Sequence, residues 1–149
     1  MSEPADGASI ERKEILFDGF TSEEILNLPS EQIEDLILNG RPQVFRIGSA
    51  TVLGEFRLAQ DKLIIELAQI DSGGEGILAA LGSLVHRYAR LHQIHSVEWF
   101  VHAVNCAKPN LKLRRVLDRR GFVVREVPGI GEAYHLVDNL PGGLKHAAS

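Results

Sequence analysis

The 149-residue chain has one cysteine, one methionine and one tryptophan, and only 6% of its residues are aromatic. A lone Cys106 excludes an internal disulfide and a cysteine-rich zinc site. No apolar run approaches the ~20 residues that cross a bilayer, so no membrane partner is expected. The opening Met1-Ser2-Glu3-Pro4-Ala5-Asp6 is polar and acidic and shows no secretory signal. Together with the unpaired cysteine, this predicts a reducing, cytoplasmic setting. The Gly-Lys-Ser/Thr ending of a phosphate-binding P-loop is missing. His86, His92, His95, His135 and His146 lack metal-ligand spacing, so no metal is expected.

What is present suits one globular domain: 44% hydrophobic and 24% charged residues. Residues 1–10 are small, polar and aperiodic and read as disordered, and residues 141–149 read as a flexible tail. The domain therefore spans residues 11–140. The net charge of −4 is uneven. Residues 1–40 hold ten acids and two bases, a sum of −8, and the remainder sums to +4. A mildly cationic body suits an anionic ligand.

The hydrophobic period changes along the chain. Thr21-Ser22-Glu23-Glu24 reads as a capping box ahead of a short helix. Pro29 ends that helix, Ser30 is read as the cap of a second, and Asn39-Gly40 as its stop. Val44–Ile47, Ala50–Leu58 and Lys62–Ile70 read as three strands joined by tight turns, an antiparallel meander. A glycine loop, Asp71-Ser72-Gly73-Gly74-Glu75-Gly76, then opens the longest helix, about residues 77–92, with Ile77, Leu78, Leu81, Leu84, Val85, Tyr88 and Leu91 on one face. His95–Val104 is a further strand, residues 111–120 a short helix, and Phe122–Val127 and Ala133–Val137 a final strand pair. Antiparallel strands followed by a strand–helix–strand crossover predict an α/β (α+β) domain. Its sheet is mixed, mostly antiparallel and flanked by helices.

The strand–glycine loop–helix unit is the strongest local signal. A helix N-terminus exposes unpaired N–H groups, and glycines let a phosphate approach them. Asp71 and Glu75 oppose that use by charge. Further on, Asn110 stands eleven residues before Gly121-Phe122, with a short helix between. On these residues, and on the order of elements over residues 20–138, the sequence resembles the GNAT superfamily of N-acetyltransferases. Gly74 and Gly76 match the Gly-x-Gly part of that family's pyrophosphate-binding loop.

The resemblance implies acetyl-CoA, or another acyl-CoA, as acyl donor and an amine of unidentified structure as acceptor. It implies cofactor contacts from Ala68 and Ile70 at the strand end, from Gly73, Gly74, Glu75, Gly76 and Ile77 at the loop and helix start, and from Asn110. It also allows a homodimer through edge strands. Three departures stand out: Asp71 replaces the family's usual Gln or Arg, the loop is short, and Leu117 occupies the position where many members place an acidic tyrosine.

Catalysis needs a base for the amine and a donor for the oxyanion. Glu66, the only acid in an otherwise apolar strand, is the first candidate base, with Glu98 and His102 as the others. Phe100 separates Glu98 from His102 on one strand face. The expected function is an acyl-CoA-dependent N-acyltransferase; the alternative is a non-catalytic binding or regulatory module of the same fold. The basic stretch Lys112, Arg114, Arg115, Arg119 and Arg120 has no interleaved aromatics, which disfavours nucleic acid.

Overall fold

Strict alternation of buried and part-exposed residues organises the sheet. In β4 (Ala50–Ala59), Ala50, Val52 and Phe56 are buried while Thr51, Leu53, Glu55 and Arg57 are part-exposed. In β5 (Lys62–Ile70) and β6 (Ser96–Val101) the same period buries Leu63, Ile65, Leu67, Val97, Trp99 and Val101. A strand puts successive side chains on opposite faces, so one sheet face is core and the other is wet. A computed structural model describes residues 14–71, 75–103, 110–129 and 131–140. The glycines at 73 and 74, Cys106, the predicted disordered start and the predicted tail all lie outside these residues.

The remaining elements are β1 (Ile15–Phe17), β2 (Phe20–Thr21), α1 (Ser22–Leu26), α2 (Ser30–Leu36), β3 (Gln43–Ile47), α3 (Glu75–Leu91), α4 (Leu111–Arg119), β7 (Val123–Val127) and β8 (Gly131–Asn139). The strands form an eight-stranded sheet in the order β2-β1-β3-β4-β5-β6-β8-β7. Only the β5–β6 pair is parallel, joined by the α3 crossover. The fold is thus a mixed, mostly antiparallel sheet flanked by helices, as the sequence predicts. Among the described residues no helix is long and apolar enough to cross a membrane.

The structure adds one element and corrects one cap. The hairpin β1–β2 pairs Phe17 with Phe20 across Asp18-Gly19. Both turn residues have positive φ, 50° and 86°, the two-residue geometry that Asp-Gly favours because it matches strand twist. Helix α2 is capped at Pro29, not Ser30: Pro29 is extended and offers no side-chain hydrogen bond, and Ser30 is already the first helical residue. The Thr21 capping box forms, with the Thr21 N–H donating to Glu24 Oε1 at 2.9 Å.

Helices α1, α2 and α3 close the core face through Ile25, Ile33, Leu81, Leu84 and Val85, against Phe17, Phe56 and Leu63. Phe17 and Phe45 stack at 4.1 Å, with Phe56 edge-on to Phe17 at 5.5 Å. Helix α4 buries Leu113, Val116 and Leu117.

The pairing of β4 with β5 has a defect that matters for the site. Gly54 faces Leu67 while Leu53 faces Gln69, so Ala68 is an extra, unpaired residue. Such a bulge bends its strand and shifts the alternation by one. Ala68 and Gln69 are both exposed, and burial resumes at Ile70. Opposite the bulge the space is tight: a Cβ on Gly54 would lie 3.0 Å from Leu67 Cδ2 and 3.1 Å from the Glu66 carbonyl oxygen, so these neighbours would have to give way.

Candidate functional site

Beside the bulge, β5 leaves β6. The parallel ladder runs from Lys62–Ser96 to Leu67–Val101, and the last rung is the His102 N–H donating to the Leu67 carbonyl at 2.9 Å. Beyond it, Gln69 and Ile70 pair with β4 alone. The backbone of residues 68–70 therefore has an edge that the β5–β6 ladder does not use, at the end of β5 that leads towards the first turn of α3.

Two carboxylate–histidine pairs occupy the wet face, and one of them, Glu66–His102, adjoins this notch. Glu66 lies between β4 and β6, opposite Glu55 and Phe100. Its Oε2 is 2.9 Å from His102 Nε2, and its Oε1 is 3.8 Å from Arg57 Nη1. The Glu66 side chain is only 18% exposed. Glu98, one turn of the pleat away, accepts from Lys62 Nζ at 3.2 Å and is 2.7 Å from His135 Nε2. Arg125 Nη1 lies 3.2 Å from His135 Nδ1. Because arginine only donates, Nδ1 accepts there and Nε2 carries the hydrogen given to Glu98. Burial, the largest influence, pushes the Glu98 carboxyl up. The hydrogen bonds from His135 and Lys62, with the Lys62 charge, outweigh it and hold Glu98 below its ordinary value.

These distances separate the three candidate bases. Glu66 and His102 come together as one unit at the notch. Glu98 does not join them: it is closed into its own ion pairs, and a carboxylate held in its charged form is a weak proton acceptor. His135, at 7% exposure the one buried polar side chain among the described residues, was weighed in the sequence only as a metal ligand and set aside, and its pairing with Glu98 was missed. Its signal was the alternation Ala133, His135, Val137 on β8, which aims it at Glu98 once β8 is paired with β6. Arg57, Lys62 and Arg125 were missed for the same reason.

The expected donor-binding residues divide. Ala68, at the bulge, is exposed with a side chain too small to block the notch. Ile70 and Ile77 are buried at 9% and 1% exposure, so they can offer a ligand backbone groups rather than side chains. Gly76 sits in the first turn of α3, and Gly73 and Gly74 fall outside the described residues, as does the Glu75 side chain.

Asn110 is the N-cap of α4: its Oδ1 accepts from the Leu113 N–H at 3.0 Å. Asp71 Oδ1 accepts from the Thr51 N–H at 2.9 Å, so this carboxylate clasps the end of the β4–β5 pair. Leu117 is fully enclosed. Among the described residues no three histidine, cysteine or acidic side chains converge on a metal position.

No protein-family model matches this sequence, and no curated protein matches it. Among solved structures it is similar to a chain in the crystal structure of the NatC complex bound to Gag peptide and CoA. Identity is 13% and the TM-score 0.37. The match covers 64% of this chain and 63% of the other, so this chain spans less than two thirds of its length. The architecture described above rests on strand order and register, independently of that distant likeness.

Proposed function

We infer that this chain is an acyl-CoA-dependent N-acyltransferase that moves an acetyl group from acetyl-CoA to an amine. The observation that carries this reading is the coincidence of the Ala68 bulge, the parting of β5 from β6 and the Glu66–His102 pair at one place. A thioester set against the edge of residues 68–70 that the β5–β6 ladder leaves unused would meet backbone N–H groups able to stabilise an oxyanion. The Glu66–His102 unit would take the proton from the incoming ammonium, directly or through water. The amine nitrogen then bonds to the thioester carbon, the C–S bond breaks, and solvent protonates the CoA thiolate. Leu117, enclosed in the core, cannot supply that proton.

A second reading, a non-catalytic module of the same fold, is favoured by the Asp71 clasp on Thr51 at the position where the resembled family holds phosphate. The two separate in one experiment. The protein is incubated with acetyl-CoA and a panel of amines, with melting temperature and thiol release both followed. A ligand that binds only the folded state raises the melting temperature with its concentration. A rise with thiol release supports the enzyme; a rise without release supports the module. No rise removes acyl-CoA from both. A cytoplasmic setting belongs to this proposal as well.

A further inference from the structure

The core side of the sheet carries a cleft that the proposed reaction does not use. It has a volume of about 320 Å³ and lies between α3 and the strands β6 and β8. That size falls within the range of small-molecule sites. Its floor is apolar: Trp99, Phe122 and Leu78, which are 5%, 7% and 3% exposed, with Leu136 beside them. Its polar groups carry both signs of charge. Arg120, exposed just beyond α4, supplies a guanidinium. Asp138 supplies a carboxylate, held in place by His86 with Nε2 2.7 Å from Asp138 Oδ2.

Strand geometry sets this cleft apart from the candidate catalytic notch. Trp99 alternates with Glu98 and Phe100, so it faces the other side of the sheet. Asp138 pairs with Val97, at the opposite end of β6 from His102, and Leu136 pairs with Trp99 in mid-strand.

One residue in the wall leaves open space. Gly82 stands in the interior of α3, where glycine weakens a helix. Nothing in the packing requires it: a Cβ there would meet no atom within 4 Å. Gly82 lines the cleft, so a long side chain there is expected to narrow it.

We propose that this cleft is a second ligand site, and that its ligand is a free α-amino acid with an apolar side chain. The class follows from the three-part lining. The apolar side chain covers Trp99, Phe122, Leu78 and Leu136. The carboxylate meets the Arg120 fork, a geometry that suits it in two parallel hydrogen bonds. The ammonium meets Asp138, whose orientation His86 sets. A neutral apolar ligand would use neither the Arg120 guanidinium nor the Asp138 carboxylate, and a dianion would be repelled by Asp138.

The test is a calorimetric and thermal-shift titration of the full chain with L-phenylalanine and L-leucine, alongside phenylalaninamide, which lacks the carboxylate, and 3-phenylpropionate, which lacks the ammonium. The site predicts saturable binding of at least one amino acid and at least tenfold weaker binding of both truncated probes. Arg120→Gln should weaken the amino acid at least tenfold and leave phenylalaninamide unchanged. Gly82→Leu should abolish binding of the amino acid while the melting temperature of the free protein holds or rises. Gly82→Ala, which adds only a methyl group at an open position, should retain binding and serves as the folding control. Absence of saturable binding by both amino acids overturns the proposal. Binding that survives in Gly82→Leu, or truncated probes that bind as well as the amino acid, overturns it too. None of these readouts depends on acyl-CoA, so the proposal stands or falls apart from the acyltransferase reading.

Discussion

Leu117→Tyr puts the structural and catalytic readings of one position against each other. The resembled family places a proton donor there, so tyrosine could be imagined to complete a thiolate-protonating site. The structure gives a different expectation, because Leu117 is fully enclosed, with Leu113 and Val116 at 3% and 2% exposure on the same helix face. Overpacking a filled site costs about 1–3 kcal/mol. Burying the phenol oxygen without a partner adds about 1–2 kcal/mol. The sum is about 2–5 kcal/mol, a large share of the ~5–15 kcal/mol that holds such a domain folded. At about 2–4 °C per kcal/mol, the melting temperature should fall by about 4–20 °C. Urea denaturation followed by circular dichroism measures the free energy, and thiol release from acetyl-CoA measures turnover. A variant that melts with the wild type and turns over faster would refute the placement of Leu117 in the core.

Glu66→Gln keeps the shape of the side chain and removes its charge; thiol release should drop by roughly two orders of magnitude, with acyl-CoA affinity unaltered in the same titration. An unchanged rate assigns proton removal elsewhere. Gly54→Val, with its Cβ 3.0 Å from Leu67 Cδ2 and 3.1 Å from a backbone oxygen, should destabilise by about 1–3 kcal/mol, read as a lower urea midpoint, and a neutral result would show that the bulge opposite it relaxes freely. Glu98 is held below its ordinary value of 4.5 in the folded state, so it contributes stability that is present above that value and lost as the pH falls through the depressed one. The gap in urea midpoint between wild type and Glu98→Gln should therefore be widest near neutral pH and shrink steadily below pH ~4.5; a gap independent of pH would mean that Lys62 and His135 do not stabilise the charged form.

Period and caps, both local properties, were enough to place most elements. Three strands from Val44 to Ile70, the amphipathic helix after the glycine loop and the final strand pair are visible because a run of alternating or helically spaced apolar residues has one good way to bury its apolar face. The Thr21 box was legible because its partner groups lie three residues apart, and the Asn110 cap, equally local, was overlooked. Even the overlooked β1–β2 hairpin was written locally, as Asp-Gly between Phe17 and Phe20. Glu66 stood out in sequence for the same kind of reason, as a charge in an apolar strand.

What tertiary structure alone decided is who meets whom. Glu66 reaches a histidine 36 residues away and Glu98 one 37 residues away. Those meetings depend on strand order and register, which no window of sequence contains. Asn110 and Leu117 belong to a motif by spacing, yet one is engaged as a helix cap and the other lies in the core. The Ala68 bulge lies opposite Gly54, where a Cβ would crowd the Leu67 side chain and the Glu66 carbonyl, a meeting that the register of β4 on β5 sets. Local chemistry chose the elements; the pairing of distant strands chose the neighbours of each charge, and with them the place where a reaction can occur.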